Sequence, residues 1–283
     1  MRLLAATGAA ERPALSSSRW VPRLLIGLVL VYLGFLIVAP IAALLYGAFS
    51  SGLHVVLATY DDPDVRAAFS LTAQIAVITT AVNGVFGTLV AWVLVRYRVP
   101  GRTVLNGLID LPFALSPVVV GYTLILLFGR FGPLAALEDA LNIQIVFAVP
   151  GMVLATIFVT MPFMIRELIP VLEGLDREQE RAAATLGARA SQIFWLVTLP
   201  AIRWGIVYGL LLTFARSLGE FGAVLVAGGG IQGLTETAPL YIYRALAERQ
   251  YASAYTVALT LALLSLLLVL AIERLRKRKH RQA

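Results

Sequence analysis

Three ionisable side chains lie inside long apolar runs of this chain: Asp110, Arg216 and Glu220. At a bilayer centre each costs roughly 2.5 to 3.5 kcal/mol on insertion scales, so each is expected to have a partner or a role. In FARSLGEFGA, Arg216 and Glu220 stand four residues apart and share one face of a helix. Two readings follow: the pair neutralises itself, or it takes part in the route or gate of an anion. Asp110 belongs to LIDLPFALSPVVVG, beside Pro112, Ser116 and Pro117. A proline in a helix frees a backbone carbonyl, which in a membrane must find a protein partner or water. That stretch is therefore either a packing kink or a broken helix lining a pathway.

Bond-making chemistry finds little material. There is no cysteine, and the two histidines, His54 and His280, lie far apart, so thiolate and histidine metal sites lack ligands. The only lysines, Lys277 and Lys279, each follow an arginine, so no glycine-rich phosphate loop ends in Lys. Neither GxSxG nor HExxH occurs, and an intramembrane enzyme would lack both nucleophile and base. What the residues can do is manage charge inside a membrane.

The elements that position them follow from composition. The chain is 59% hydrophobic and 14% charged, against roughly 25% charged in soluble domains. Apolar runs of about 20 residues suffice to cross a bilayer, and six are present: 24–49, 67–95, 103–128, 145–165, 204–228 and 254–272. The expected fold is an all-α membrane protein with six transmembrane helices. Of the 23 basic residues, 18 flank the spans on the face that carries the N-terminus, which places both termini in the cytoplasm by the positive-inside rule. Residues 1–19 read as a mobile cytoplasmic tail, 20–274 as one membrane domain and 275–283 as a basic cytoplasmic tail. The net charge of +7 is explained by this flanking pattern, with the tail RLRKRKHRQA beside anionic headgroups, and not by nucleic acid. Gly205 and Gly209 form a GxxxG that allows close helix packing. In the link 228–253, PLYIYRALAERQY has the pattern of a short amphipathic helix.

The cytoplasmic segment 166–203 is longer than a turn between spans requires, and a long loop in a compact bundle usually has a function. It contains DREQERAAATLGARASQIFWLVTLPAIR. The Ala182, Ala183, Ala184 run favours helix, Gly187 marks a stop or bend, and Ile193, Leu196 and Val197 form an apolar stripe. Pro200 predicts a helix boundary at Leu199. Periodicity alone leaves two possibilities, an interfacial amphipathic helix or a docking element.

The segment resembles the EAA motif of ABC importer membrane subunits, matching it at Ala182, Ala183, Gly187, Leu199 and Pro200, with the family's spacing from Gly187 to Pro200. At the motif's Glu position stands Arg181, and Glu180 lies one residue earlier. DLPFALSPVVVG, MPFMIRELIPVLE, RSLGEFGAVLVAGG and GLTETAPLY are similar to the sulfate and thiosulfate importer permeases, a branch that shares much of its pattern with molybdate and tungstate permeases. The resemblance implies a type I ABC importer permease fold and a multi-pass protein of the bacterial inner membrane. It implies two cytoplasmic ATPase subunits, which bind ATP and Mg, and a second permease subunit, either related or a copy. It also implies a periplasmic sulfate- or thiosulfate-binding protein. Glu180, Arg181, Ala182, Ala183, Gly187, Leu199 and Pro200 would form the ATPase-coupling loop. Asp110, Pro112, Ser116, Pro117, Arg216 and Glu220 would line the pathway or gate. The alternatives are a molybdate or tungstate permease and an ion-coupled secondary anion transporter.

Overall fold

The computed structural model describes residues 20–280. The expected tail 1–19 and the last three residues of the basic tail lie outside the described residues. Thirteen α-helices and one π-helical segment run α1 (Trp20–Phe49), α2 (Leu53–Asp61), α3 (Pro63–Arg96), α4 (Arg102–Ala114), α5 (Pro117–Phe128), α6 (Ala135–Leu141) and α7 (Val149–Glu173). They continue α8 (Glu178–Thr185), α9 (Ala190–Ile193), the π segment (Phe194–Thr198), α10 (Leu199–Leu218), α11 (Gly222–Gly228), α12 (Ala238–Ala247) and α13 (Tyr251–His280). There is no strand among the described residues.

The chain divides at Tyr46 and Gly47 into two units. The first contains most of α1, an apolar helix with Pro40 in its interior and length enough to cross a bilayer. The second is built around α3, α7 and α10. Leu94 and Ala91 of α3, Met164, Ile165, Leu168 and Leu172 of α7, and Ile202 of α10 form one buried cluster. Glycines let these helices approach closely. A Cβ on Gly209 would lie 2.5 Å from the Met164 sulfur, and one on Gly205 would lie 3.1 Å from Val171. The GxxxG pair therefore faces α7. A second cluster joins α3, α12 and α13 through Val65, Ala68, Tyr241, Ala245 and Val257.

Helix starts are explained locally. Asp62 caps α3, its carboxylate accepting the Asp64 N–H at 2.9 Å, with Pro63 in the first turn. The amphipathic stretch of the link 228–253 is α12, which buries Leu240 and Tyr241.

The spans differ from the sequence expectation in three places. Among the described residues five helices are long and apolar enough to cross a membrane, and there is a sixth span only if α4 and α5 count as one. These two are bent by 110°. The expected run 103–128 breaks at Leu115 and Ser116, both extended, because the residue before Pro117 is driven out of the α region. Pro162 and Pro170, in contrast, sit inside an unbroken α7.

Second, most of 166–203 is not loop. Helix α7 runs on to Glu173, and Ala190–Leu218 forms one continuous span, leaving 174–189 as the link. The helix does not end at Leu199, where the π segment passes directly into α10. Pro200 has no N–H to donate, and the preceding turn widens to π geometry, with the Leu199 N–H donating to the Phe194 carbonyl. Third, the expected span 204–228 ends at Leu218, and α11 starts separately at Gly222.

Candidate functional site

The segment that resembles the EAA motif is a short helix, a glycine turn and a second helix. Helix α8 closes with a Schellman pattern: the Gly187 N–H donates to the Ala184 carbonyl and the Ala188 N–H to the Ala183 carbonyl, both at 3.0 Å. The turn needs Gly187 at φ +85°, and a Cβ there would touch nothing, so the demand is conformational and not steric. Helix α9 then begins with the Gln192 side chain accepting the Arg189 N–H at 2.8 Å.

Glu180 faces inward. One of its oxygens accepts from Arg96 at 2.9 Å and from the Thr198 hydroxyl at 2.8 Å. Arg96 lies in the last turn of α3 and Thr198 closes the π segment, so a single carboxylate ties α8 to two spans. The Arg177 guanidinium adds a bond to the Val95 carbonyl at 3.0 Å. Beneath them Trp92 packs edge-on against Phe194 and Tyr97.

The outer side is open. Arg181 and Ala182 are exposed, Ala183 is half-buried, Leu199 is half-buried and Pro200 is exposed. Leu186, Leu196 and Trp195 are exposed despite being large and apolar. A groove of about 330 Å³ runs between α8 and the following helix, lined by Ala183, Leu186, Gly187, Ala188, Gln192 and Leu196.

The intramembrane charges are paired. Asp110 on α4 receives two parallel bonds from Arg166 on α7, Nε to Oδ1 at 2.8 Å and Nη2 to Oδ2 at 2.5 Å, and the same guanidinium reaches the Asn106 carbonyl at 3.3 Å. The sequence gives no sign of this partner, because Arg166 stands at the start of the expected cytoplasmic segment 166–203, whereas α7 continues through it.

Arg216 and Glu220 form an ion pair at 2.8 Å. The carboxylate is 2% exposed and the guanidinium 32%. The pair is close without hydrogen-bond alignment at Glu220 Oε2, whereas Oε1 accepts the Ala223 N–H at 3.2 Å and so caps α11.

The two helix breaks meet. A Cβ on Gly222 would lie 3.1 Å from Val118 and 3.4 Å from Pro117, and one on Gly121 would lie 2.7 Å from the Ala223 carbonyl oxygen. Pro117 and Gly222 thus stand together at the starts of α5 and α11. Ser116 is exposed at this junction, and Pro112 is buried in α4.

A further polar cluster was not foreseen. Arg244 on α12 makes a two-point contact with Glu236 at 2.6 and 3.0 Å, bonds Glu248 at 3.1 Å and lies 3.8 Å from Asp64. The bond to Glu236 comes first among the causes that hold this guanidinium above the ordinary arginine range. Burial pushes the neighbouring Tyr241 phenol up from its usual value.

Residues 83–281 match the model of the family described as binding-protein-dependent transport system inner membrane component. The chain belongs to that family. This transport permease is 47% identical over 255 residues to the sulfate transport system permease protein CysW of Synechocystis sp., covering 90% of its own length and 92% of the relative's. It is 39% identical over 271 residues to the sulfate transport system permease protein CysT of Escherichia coli K12, covering 95% and 98%. Its fold superposes with a TM-score of 0.76, at 16% identity and over 92% and 94% of the two chains, on a subunit of a bacterial alginate ABC transporter crystallised with its alginate-bound periplasmic protein. The permease is thus a multi-pass membrane protein with the fold of an ABC importer permease.

Proposed function

We propose that this permease is the membrane-spanning half of an ATP-driven importer that carries sulfate or thiosulfate across the inner membrane. The observation that carries the reading is the 47% identity, across nearly the whole chain, to a sulfate transport permease. The type I arrangement has six spans, with the α4–α5 pair as the third and both termini cytoplasmic. Residues 20–274 are one permease domain, followed by a basic tail. The similarity to proteins of both the CysW and CysT kinds supports a related second permease as the other half. Two cytoplasmic subunits bind ATP and Mg and do the hydrolysis, and a periplasmic binding protein delivers the anion.

An unpaired divalent oxyanion in hydrocarbon would cost on the order of tens of kcal/mol, so the route must be polar and walled by protein. Helix α8, with the groove behind Gly187, serves as the docking element for one ATPase subunit. Glu180 links it to α3 through Arg96 and to the Ala190–Leu218 helix through Thr198. Displacement of α8 would therefore carry that long helix as a rigid body. Its far end is the break that holds Arg216 and Glu220, beside Pro117 and Ser116, where the pathway or gate is proposed to lie. Asp110 and Arg166 brace α4 against α7, and Pro112 is buried in the same α4.

Affinity purification of the tagged permease from membranes tests the assembly. Stoichiometric recovery of an ATP-binding subunit and a second permease is expected. Recovery of the permease alone, still able to move anions, would contradict the reading.

A further inference from the structure

At the Glu position of the motif it resembles, the outer face of α8 carries Arg181, and most other charges of the segment have partners within the chain. Glu180 is taken by Arg96 and Thr198. Glu173 pairs with Arg102, and Asp176 accepts the Glu178 N–H. Arg177 is engaged with the Val95 carbonyl, and Arg203 lies over the Trp204 ring. Glu178 stands in the first turn of α8, where the positive end of the helix dipole favours a carboxylate. Arg181 and Arg189 are both exposed, and among the described residues no carboxylate pairs with either; of the two, only Arg181 lies on α8.

Helical spacing sets Glu178, Arg181, Ala182 and Thr185 on the side of α8 turned away from the bundle, and all four are exposed. Ala182 and Thr185 are small, so a partner surface can approach closely there. Such an approach strips water from Arg181, and burying an unpaired guanidinium is strongly unfavourable. Glu178, one turn earlier on the same face, forms no ion pair with Arg181, so a partner that docks here meets a guanidinium without an acceptor and is expected to supply one.

We infer that the surface receiving α8 carries an Asp or Glu placed to pair with Arg181. The inference rests on the docking role proposed above and names the chemistry of the partner: an ATPase subunit with an acidic residue in its docking cleft. Arg181 then selects among ATPase subunits, because a cleft built with a basic residue for a glutamate at this position would place two cations together.

The test uses the assembled complex of permease and co-expressed ATPase subunit. Arg181→Lys, Arg181→Glu and Gly187→Val are compared for ATPase retained on the tagged permease across a series of salt concentrations. Truncating a desolvated charge pair lowers affinity by about 30-fold or more, so Arg181→Glu is expected to lose retention by at least that factor. Arg181→Lys should keep most of it, with the parent's salt dependence. A compensating acidic-to-Lys change in the ATPase cleft should restore binding to Arg181→Glu. Retention of the ATPase by Arg181→Glu at the parent level, with Gly187→Val defective, would overturn the pairing while leaving docking intact. Parent-level retention by both variants would overturn the docking role as well. Arg181 is on the surface, so insertion and monodispersity of its variants should match the parent.

Discussion

Replacing Glu180 with leucine removes the acceptor shared by Arg96 and Thr198, and the structure sets the size of the effect. The Arg96 side chain is 8% exposed and Glu180 is 17% exposed, so the pair is largely screened from water. Arg96 Nε already lacks a hydrogen-bond partner, so no neighbouring group is in place to take over from the lost carboxylate. Breaking one side of a buried pair costs about 3 to 5 kcal/mol, and the residual exposure argues for the lower end, about 3 kcal/mol. Thr198 is 1% exposed and loses its only side-chain acceptor, which adds about 1 kcal/mol. Together the substitution should destabilise the permease by about 4 kcal/mol. In a double-mutant cycle, Arg96→Met with Glu180→Leu should be less damaging than the sum of the single changes by about 2 kcal/mol, because no guanidinium is then left stranded. Reversible denaturant unfolding of the purified permease in detergent measures both quantities. A cost for Glu180→Leu below about 1 kcal/mol, or single effects that add to within about 0.5 kcal/mol, would refute the reasoning. The cycle should also appear in function: Glu180→Leu should still recruit the ATPase through the outer face but hydrolyse ATP with little transport.

Gly187 sits at φ +85° with open space around it, so Gly187→Asn should be tolerated, whereas Gly187→Val should cost roughly 1 to 2 kcal/mol and weaken ATPase retention. Equal behaviour of the two variants would remove the conformational argument. Gly209→Val would drive a side chain into the Met164 sulfur, for a loss of about 1 to 3 kcal/mol in the same unfolding measurement, and Met164→Ala should partly rescue it. Arg216→Gln strands a buried carboxylate and should be worse than Glu220→Gln, whose partner is 32% exposed. The double neutralisation should be better tolerated than Arg216→Gln alone in both folding and uptake. If it is not, mutual neutralisation is not the main task of the pair.

The sequence exposed the all-helical architecture through its apolar runs, and the break at Ser116 through Pro117, since a proline acts on the residue before it. Gly187 was legible for the same kind of reason, because its demand is local. The end of α7 was not, because Arg166 and Glu167 look like the close of a span, although a helix can extend well past the apolar part of its length. Pairing of Arg166 with Asp110, 56 residues away, depends on how α4 and α7 pack. The orientation of Glu180 is similar. A shift of one residue along a helix rotates a side chain by about 100°, and Arg96, 84 residues earlier, together with Thr198, 18 residues later, holds Glu180 inward and leaves Arg181 outside. The break at Gly219 lay hidden within a continuous apolar run, and the proline at position 200 widened a helix that it was expected to end.

The proposed function requires the permease to move a sulfur oxyanion at the expense of ATP. The direct measurement is uptake of labelled sulfate into proteoliposomes that contain the co-purified complex and its binding protein, with ATP present or absent inside. Accumulation is expected to require ATP and the binding protein and to be suppressed by unlabelled thiosulfate. Accumulation without ATP, driven by an imposed ion gradient, would contradict it.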